Sequence, residues 1–216
     1  MKKKISLEDA AAMVKEGSTI MLGGFLGNGA PLQIIDAIVA SGVKNLTVIS
    51  NDTAFNGISW GKMIENKQVK KIIVSYVGAN AASIDQMNSG ELEVEFSPQG
   101  TLVERIRAKG AGLGGVLTPT GLNTVVEKGK QVINIDGKDY LLEKPISADL
   151  AIIGGSIVDE TGNIYYKGTT QNFNPIMAMA ADKVIVEAQE VVPVGKIEPE
   201  CIHTPAIFVD YIYVKQ

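Results

Sequence analysis

The sequence predicts an α/β fold in which an open, mostly parallel sheet is flanked by helices. Short apolar runs typical of buried strands recur along the chain, at 20–22, 46–49, 72–74, 150–153 and 184–186. Segments with helical spacing lie between several of these runs, and this alternation is typical of a parallel sheet with helices on both faces. A chain of 216 residues is long enough for one such domain and short for two, so residues 1–216 are expected to form a single domain.

Four segments between or beside the predicted strands are expected to be helical. They begin at Ser6, span 31–41, span 101–108, and run from Pro175 to Ala181. Ser6 and Asp9 resemble a capping box at the start of the first helix. Proline suits a first helical position, and glycine commonly follows a helix end. Pro31 is therefore expected to begin the second helix, while Gly42 and Gly110 close the second and third.

One segment departs from the parallel pattern. Asp136-Gly137 is flanked by the apolar runs 132–135 and 140–142, which is a strong signal for a two-residue β-hairpin turn. We therefore expect a β-hairpin excursion from the main sheet near 132–142.

Composition and charge exclude several classes of function. The chain carries 20 basic and 24 acidic side chains, and its net charge of −4 does not favour nucleic acid or an anionic membrane surface as a partner. No apolar run approaches the length of a membrane span, and no apolar leader segment follows the N-terminal lysines. The expected location is the cytoplasm.

The sequence contains one cysteine and one histidine, Cys201 and His203. These exclude an internal disulfide and a histidine-rich metal site, so no metal is expected. In an extended segment the two side chains would face the same side and could form a nucleophilic dyad. No glycine-rich nucleophile turn surrounds them, so a partly buried thiol and a histidine at a strand edge are the favoured interpretation.

The segment 23–31 is the most informative motif, because it reads as strand, glycine loop and helix. Its central residues are Gly24, Phe25, Leu26, Gly27, Asn28, Gly29 and Ala30. Such a loop can leave N–H groups bare beside the positive end of a helix, which suits an anionic or carbonyl-bearing ligand. The spacing matches neither the phosphate loop with its lysine nor the dinucleotide motif. From spacing alone, a structural turn and a ligand loop both stay open.

The order Gly-Gly-Phe-x-x-x-Gly-x-Pro resembles the signature of class I (3-oxoacid type) CoA-transferases. Further matching blocks extend over most of the chain, at 51–53, 98–107, 112–115, 118–121, 172–175 and 178–181. The similar subunit is the alpha subunit, and the bacterial acetate/butyrate–acetoacetate enzymes are the most similar group. The resemblance implies the open fold of the CoA-transferase/ribose-phosphate isomerase group.

The resemblance also implies a reaction and a partner. Such enzymes move CoA between a short-chain acyl-CoA and an acid such as acetoacetate, butyrate or acetate. The reaction passes through a glutamyl-CoA thioester on the beta subunit, within a Ser-Glu-Asn-Gly-type sequence that this chain lacks. The chain is therefore expected to be inactive alone and to act in an α2β2 assembly. Coenzyme A is the substrate, and no resident cofactor is expected.

Gln99 and Asn51 are the candidate catalytic residues. Gln99 lies on a turn between Pro98 and Gly100, where a neutral amide could donate to an oxyanion, and the resemblance implies this role. The alternative is a turn residue that caps its own helix. Asn51 follows the strand at 46–50, and ligands gather at such strand ends. The alternative for Asn51 is an Asx turn, and Asn80 could join it in the site. The resemblance makes 24–30 the CoA-contacting loop.

Other polar and aromatic residues have structural interpretations. Glu91, Glu93 and Glu95 alternate with apolar residues, so they are expected on the solvent or interface face of a strand. Glu104 and Arg107 are spaced to pair on a helix surface. Glu143 ends the hairpin without a partner pattern. Trp60 is expected to be a buried anchor or an interface residue. For Met87, Phe173, Met177 and Met179, a place in the core is favoured over a soft acyl pocket.

Three positions depart from the resembling family, namely Trp60, Asn123 and Ala206. They affect the expected loop shapes and acyl preference, not the main signature.

Two other functions are compatible with parts of the sequence. A non-catalytic subunit could bind acyl-CoA and regulate a partner. In that case Gln99 would have no evident functional role. A sugar-phosphate isomerase of related fold would need a general base and basic residues near its phosphate, and the loop contains neither.

Overall fold

The structure is a computed structural model that describes residues 3–216. The strands are β1 Lys3–Lys4, β2 Thr19–Leu22, β3 Leu46–Ile49, β4 Val69–Val74, β5 Glu93–Phe96, β6 Val116–Thr118, β7 Val132–Ile135, β8 Lys138–Glu143, β9 Ala148–Asp159, β10 Ile164–Tyr165, β11 Ala181–Val192 and β12 Tyr211–Val214. The α-helices are α1 Leu7–Ala12, α2 Leu32–Ser41, α3 Gly61–Glu65, α4 Ala81–Ser89, α5 Gln99–Gly110 and α6 Asn174–Met177.

Most of these strands form one parallel sheet in the order β1-β12-β11-β9-β2-β3-β4-β5. Every neighbouring pair along this path is parallel, and β10 adds an antiparallel strand beside β9. The chain builds the sheet outward from β2 to β5 and then returns to the other side of β2. Ligands of open α/β sheets bind at the carboxyl ends of the strands where this order reverses. The loop after β2 lies at that point.

Helices cover both faces of this sheet, as the sequence predicts. Ile20 and Leu22 of β2 pack with α1, α2 and α3, whereas Met21 between them packs with α5 and α6. The same alternation places Ile152 on the first face and Ile153 on the second. Because both faces of these strands are buried, their sequences are continuous apolar runs and do not alternate between apolar and polar residues.

Several predicted helix boundaries were wrong by a few residues. Pro31 precedes α2 as its cap, with a ψ of 73° that is not helical. Gly110 is the last residue of α5 rather than the residue after it. The last helix ends at Met177 instead of Ala181, because Ala181 pairs with Ala148 in the parallel ladder between β9 and β11. Tertiary pairing here overrides the local pattern.

The predicted hairpin near 132–142 is confirmed. β7 and β8 are antiparallel, and Asp136 and Gly137 have φ values of 51° and 79°, as a type I′ turn requires. The sequence did not predict β6, which pairs with the other edge of β8 and completes a three-stranded sheet.

An ion-pair network connects this small sheet to the main one. Glu143 at the end of β8 is only 1% exposed and accepts a hydrogen bond from Lys130 Nζ at 2.6 Å. Its other oxygen lies 3.7 Å from Nε of the buried Arg105 on α5, whose Nη1 donates to Glu95 on β5 at 2.8 Å. Burial raises the pKa of Glu95, but the hydrogen bond and charge of Arg105 outweigh it and hold that pKa below its usual value. The sequence showed no partner pattern for Glu143, and the structure supplies Lys130 and Arg105 as its partners.

The remaining structural expectations have mixed outcomes. Trp60 is buried, and Glu104 and Arg107 form the expected helix-surface pair at 3.2 Å. Cys201 is exposed rather than partly buried, because it ends a single 3-10 turn at the surface. His203 Nδ1 accepts a hydrogen bond from the backbone N–H of Tyr166 at 3.0 Å, which gives this ring a structural role.

We predict that Glu143→Ala lowers the free energy of unfolding by about 3–5 kcal/mol, because it leaves Arg105 and Lys130 without their buried counter-charge. Urea unfolding followed by circular dichroism measures this loss. Glu104→Ala is the matched control, since it removes an exposed ion pair and should cost about 0.5 kcal/mol or less. Equal effects of the two substitutions would contradict the importance of the network.

Candidate functional site

The glycine loop after β2 closes on itself in a tight turn. The N–H of Phe25 donates to the carbonyl of Asn28 at 3.0 Å, and the N–H of Asn28 donates back at 2.9 Å. Most loop N–H groups therefore have partners, contrary to the expectation of a bare loop. Within residues 3–216, the N–H groups of Gly27 and Gly29 are the two loop donors that make no hydrogen bond.

Two asparagines hold this loop in place, Asn172 just before α6 and Asn174 at its first position. The Asn172 side chain accepts from the N–H of Gly24 at 3.2 Å and donates to the carbonyl of Asn28 at 3.0 Å. The fully buried Asn174 donates to the carbonyl of Gly29 at 3.1 Å. Gly29 has a φ of 73°, and a Cβ there would lie 2.8 Å from the Thr170 carbonyl oxygen, so only glycine fits.

A chain of hydrogen bonds connects the loop to both candidate catalytic residues. The N–H of Leu26 donates to Asp52 Oδ2 at 2.9 Å, and Asn51 Nδ2 donates to the same oxygen at 2.6 Å. Gln99 Nε2 then donates to Asn51 Oδ1 at 2.6 Å. A carboxylate can only accept, so Asp52 fixes the direction of both amides. The structure thus brings together Gln99, Asn51 and the loop, which the sequence singled out separately.

The contacts of Gln99 and Asn51 differ from those of their structural alternatives, and Asn80 lies beside the 51–53 segment, where its Nδ2 donates to the Thr53 carbonyl at 3.4 Å. The Asx turn belongs to Asp52, whose Oδ1 accepts from the N–H of Ala54 at 2.7 Å. The Gln99 side chain donates to Asn51 Oδ1 rather than capping α5. Asn80 is buried as the N-cap of α4 and accepts from the N–H of Ser83 at 2.9 Å, so its side chain is used structurally. Sequence reasoning missed Asp52 as the residue that orients the site.

Exposed apolar side chains occur in or close to the segments that carry this arrangement. They are Phe25, Phe55, Ile58, Tyr76 and Phe96. Each lies in or beside a site segment: Tyr76 pairs with Asp52 in an isolated bridge, and Ile58 approaches Gly27. Apolar patches of this kind mark interaction surfaces or ligand grooves.

The N-terminus of α2 is occupied by a carboxylate of the same chain. Glu187 on β11 is buried, and its Oε2 accepts from the N–H of Ile34 at 2.9 Å. The expectation that this helix end is free for an anionic ligand was therefore wrong. The two residues are 153 positions apart, so local sequence patterns could not predict this contact.

The described residues include no helix long and apolar enough to cross a bilayer. Within 3–216 there is also no group of three or more His, Cys, Asp or Glu side chains placed to hold a metal ion.

The buried Glu187 predicts a pH dependence of stability. Burial raises the pKa of Glu187 above its ordinary value of 4.5, and the backbone hydrogen bonds from Ile34 and Gln33 only partly offset this. A raised pKa in the folded state contributes stability below the unfolded pKa, which is lost as pH rises through the folded pKa. The stability of the wild type relative to Glu187→Gln should therefore fall as the pH rises from 4.5, as urea unfolding at several pH values would show. Glu190→Gln, on the exposed side of the same strand, is the control; a pH-independent difference for Glu187→Gln would contradict the prediction.

Comparisons with known proteins agree with this fold and show the family. A model of the coenzyme A transferase family matches residues 4–215. The acetoacetyl-CoA:acetate/butyrate CoA transferase alpha subunit of Clostridium acetobutylicum is 57% identical over 97% of this chain and 96% of its own length. The acetate CoA-transferase subunit alpha of Escherichia coli is 48% identical over 99% of this chain and 97% of its own.

Solved structures share the fold at lower identity. An Escherichia coli O157:H7 acyl-CoA transferase, determined as a thioester complex with CoA, superposes with a TM-score of 0.88 at 20% identity and over 99% of this chain. This chain spans about half of that protein, 47% of its length. Glutaconate coenzyme A-transferase from Acidaminococcus fermentans gives a TM-score of 0.83 at 21% identity, over 98% of this chain and 75% of that one. With a family match over nearly its whole length and relatives above 45% identity, the chain belongs to the coenzyme A transferase family.

Proposed function

We propose that this chain is the alpha subunit of a heteromeric CoA-transferase. It would move CoA between a short-chain acyl-CoA and a carboxylic acid, with acetoacetate, butyrate and acetate as the acids. The names of the two relatives above support this choice of acids and of subunit. The observation that carries the proposal is the hydrogen-bond chain from Asp52 through Asn51 to Gln99, which holds an exposed amide donor beside the glycine loop.

The nucleophile in this proposal is a glutamate of the beta subunit. Its carboxylate attacks the thioester carbonyl, and collapse of the tetrahedral oxyanion expels the CoA thiolate and leaves an acyl-glutamyl anhydride. The thiolate then attacks the glutamyl carbonyl, which releases the first acid and forms the glutamyl-CoA thioester. The second acid reverses these steps and leaves as the new acyl-CoA.

The alpha subunit contributes hydrogen-bond donors to this sequence. Gln99 Nε2 carries two N–H groups, of which one donates to Asn51, so the other can stabilise the oxyanion. The free N–H groups of Gly27 and Gly29 can bind carbonyl groups of the CoA substrate. Coenzyme A enters and leaves as a substrate, and the mechanism uses no metal or resident cofactor.

In this proposal the assembly is α2β2, and the beta subunit covers the five exposed apolar side chains named above, namely Phe25, Phe55, Ile58, Tyr76 and Phe96. We further propose that residues 1–216 act as one domain, because the network of Glu143, Arg105 and Glu95 ties the small sheet to the main one. The assembly would act in the cytoplasm, since its CoA thioesters are anions for which a bilayer is a costly barrier.

The test combines this chain with its candidate beta subunit and measures acetoacetyl-CoA formation from acetoacetate and butyryl-CoA. Activity should require both chains, and Gln99→Ala should lower kcat on the order of 10²–10³-fold because it removes an oxyanion donor. Gln131→Ala, at an exposed position away from the site, is the control and should leave kcat unchanged.

Two results would contradict the proposal. Turnover by this chain alone would place the nucleophile here rather than on a partner. Binding of butyryl-CoA without turnover by the mixture would favour the non-catalytic, regulatory alternative.

A further inference from the structure

The Asn172 side chain uses both ends of its amide. Its Oδ1 accepts from the N–H of Gly24 at 3.2 Å and from the N–H of Phe173 at 2.6 Å. Its Nδ2 donates to the carbonyls of Asn28 and Thr169, each at 3.0 Å. An amide nitrogen carries two N–H groups, and both are used here. The side chain therefore has a fixed orientation between the glycine loop and the segment before α6.

The contact with Asn28 fixes one peptide plane of the loop. The Asn28 carbonyl accepts from Asn172 and also from the N–H of Phe25 at 3.0 Å. In a trans peptide the carbonyl and the following N–H lie in one plane and point in opposite directions. No cis peptide bond occurs within residues 3–216. The free N–H of Gly29 therefore points away from Asn172.

The surroundings of the loop agree with this direction. Gly27 and Gly29 line a cavity of about 210 Å³ beside α2, whereas Phe25 and Asn172 line a separate groove. The two linings share only Asn28, so the loop lies between the two spaces. The Asn28 carbonyl faces Asn172 on the groove side, and the Gly29 N–H is left facing the cavity side.

Asn174 holds the next peptide of the loop, with a different consequence. Its Nδ2 donates to the Gly29 carbonyl at 3.1 Å. The N–H of that peptide, from Ala30, already donates to the Gly27 carbonyl at 3.3 Å, so this peptide carries no free donor. Of the two asparagines, Asn172 is therefore the one that sets the direction of a free N–H group.

We propose that Asn172 is a positioning residue for the reaction, because its amide turns the Gly29 N–H toward the substrate. This inference rests on the proposed function, in which that N–H binds a carbonyl group of the CoA substrate. Asn172 acts through the Asn28–Gly29 peptide rather than on the ligand. The Gly27 N–H lies in a different peptide, so loss of the Asn172 amide removes one of the two loop donors.

The substitution Asn172→Asp separates hydrogen-bond donation from packing. Aspartate has the shape of asparagine and still accepts from the N–H groups of Gly24 and Phe173, but its carboxylate cannot donate. The carboxylate would face the Asn28 carbonyl oxygen, and repulsion between these two acceptors favours rotation of the Asn28–Gly29 peptide. After rotation the N–H would point to the carboxylate, and a carbonyl would face the cavity.

The test measures kcat and KM of the assembled alpha–beta enzyme with butyryl-CoA and acetoacetate. Asn172→Asp should raise KM for butyryl-CoA about tenfold and leave kcat within about twofold, because it removes a donor used in substrate binding. Asn172→Ala should raise KM only about threefold, because the Asn28 carbonyl keeps its hydrogen bond from Phe25. Asn88→Asp, at an exposed position of α4, is the matched control and should change neither value.

The order of the two variants distinguishes positioning from packing. If the side chain only filled space, aspartate would be the milder change, so an effect of Asn172→Ala equal to or larger than that of Asn172→Asp would overturn the proposal. An unchanged KM in either variant would overturn it as well, and thermal unfolding followed by circular dichroism checks that both variants fold. An inactive wild-type mixture refutes the proposed function, whereas an active wild type with indifferent Asn172 variants refutes only this inference.

Discussion

The site is organised by one buried carboxylate, that of Asp52. It accepts hydrogen bonds from the N–H of Leu26 in the glycine loop, from the Asn51 amide and from the N–H of Ala54. Since the Asp52 carboxylate cannot donate, the Asn51 amide turns its nitrogen toward Asp52 and its oxygen toward Gln99. The Gln99 amide must then donate to that oxygen through its nitrogen. One residue therefore sets the position of the loop and the polarity of the amide that we propose as an oxyanion donor.

Three buried acidic groups of this chain are engaged in structural contacts. Glu187 caps α2, and Glu143 is buried between Lys130 and Arg105. Asp52 accepts three hydrogen bonds from its own chain. The donors that we propose for the reacting end of the ligand are neutral: the Gln99 amide and the N–H groups of Gly27 and Gly29. This division agrees with a half-site whose nucleophile comes from a partner, and with an apolar rim that the partner would cover.

Local patterns in the sequence predicted the parts of the site that are local in the fold. The strand-loop-helix at 19–41, the start of α5 and the end of β3 were found in this way, and they carry the glycine loop, Gln99 and Asn51. The contacts that orient these parts join distant residues, such as Leu26 with Asp52 and Gly24 with Asn172, which are 26 and 148 positions apart. Periodicity and turn chemistry contain no information about such pairs, so the asparagine supports, the Glu187 cap and the Glu143 network required the structure.

The most direct test of this account is the kcat of the assembled enzyme with Asp52→Asn, measured against Asp85→Asn at an exposed position of α4. Asparagine has the shape of aspartate but can also donate, so the Asn51 and Gln99 amides would no longer have a fixed direction. We expect kcat to fall about 10²-fold, as for a misplaced catalytic group, with a cooperative thermal transition retained. The Asp85→Asn enzyme should match the wild type. A wild-type kcat in Asp52→Asn would contradict the claim that this carboxylate orients the site.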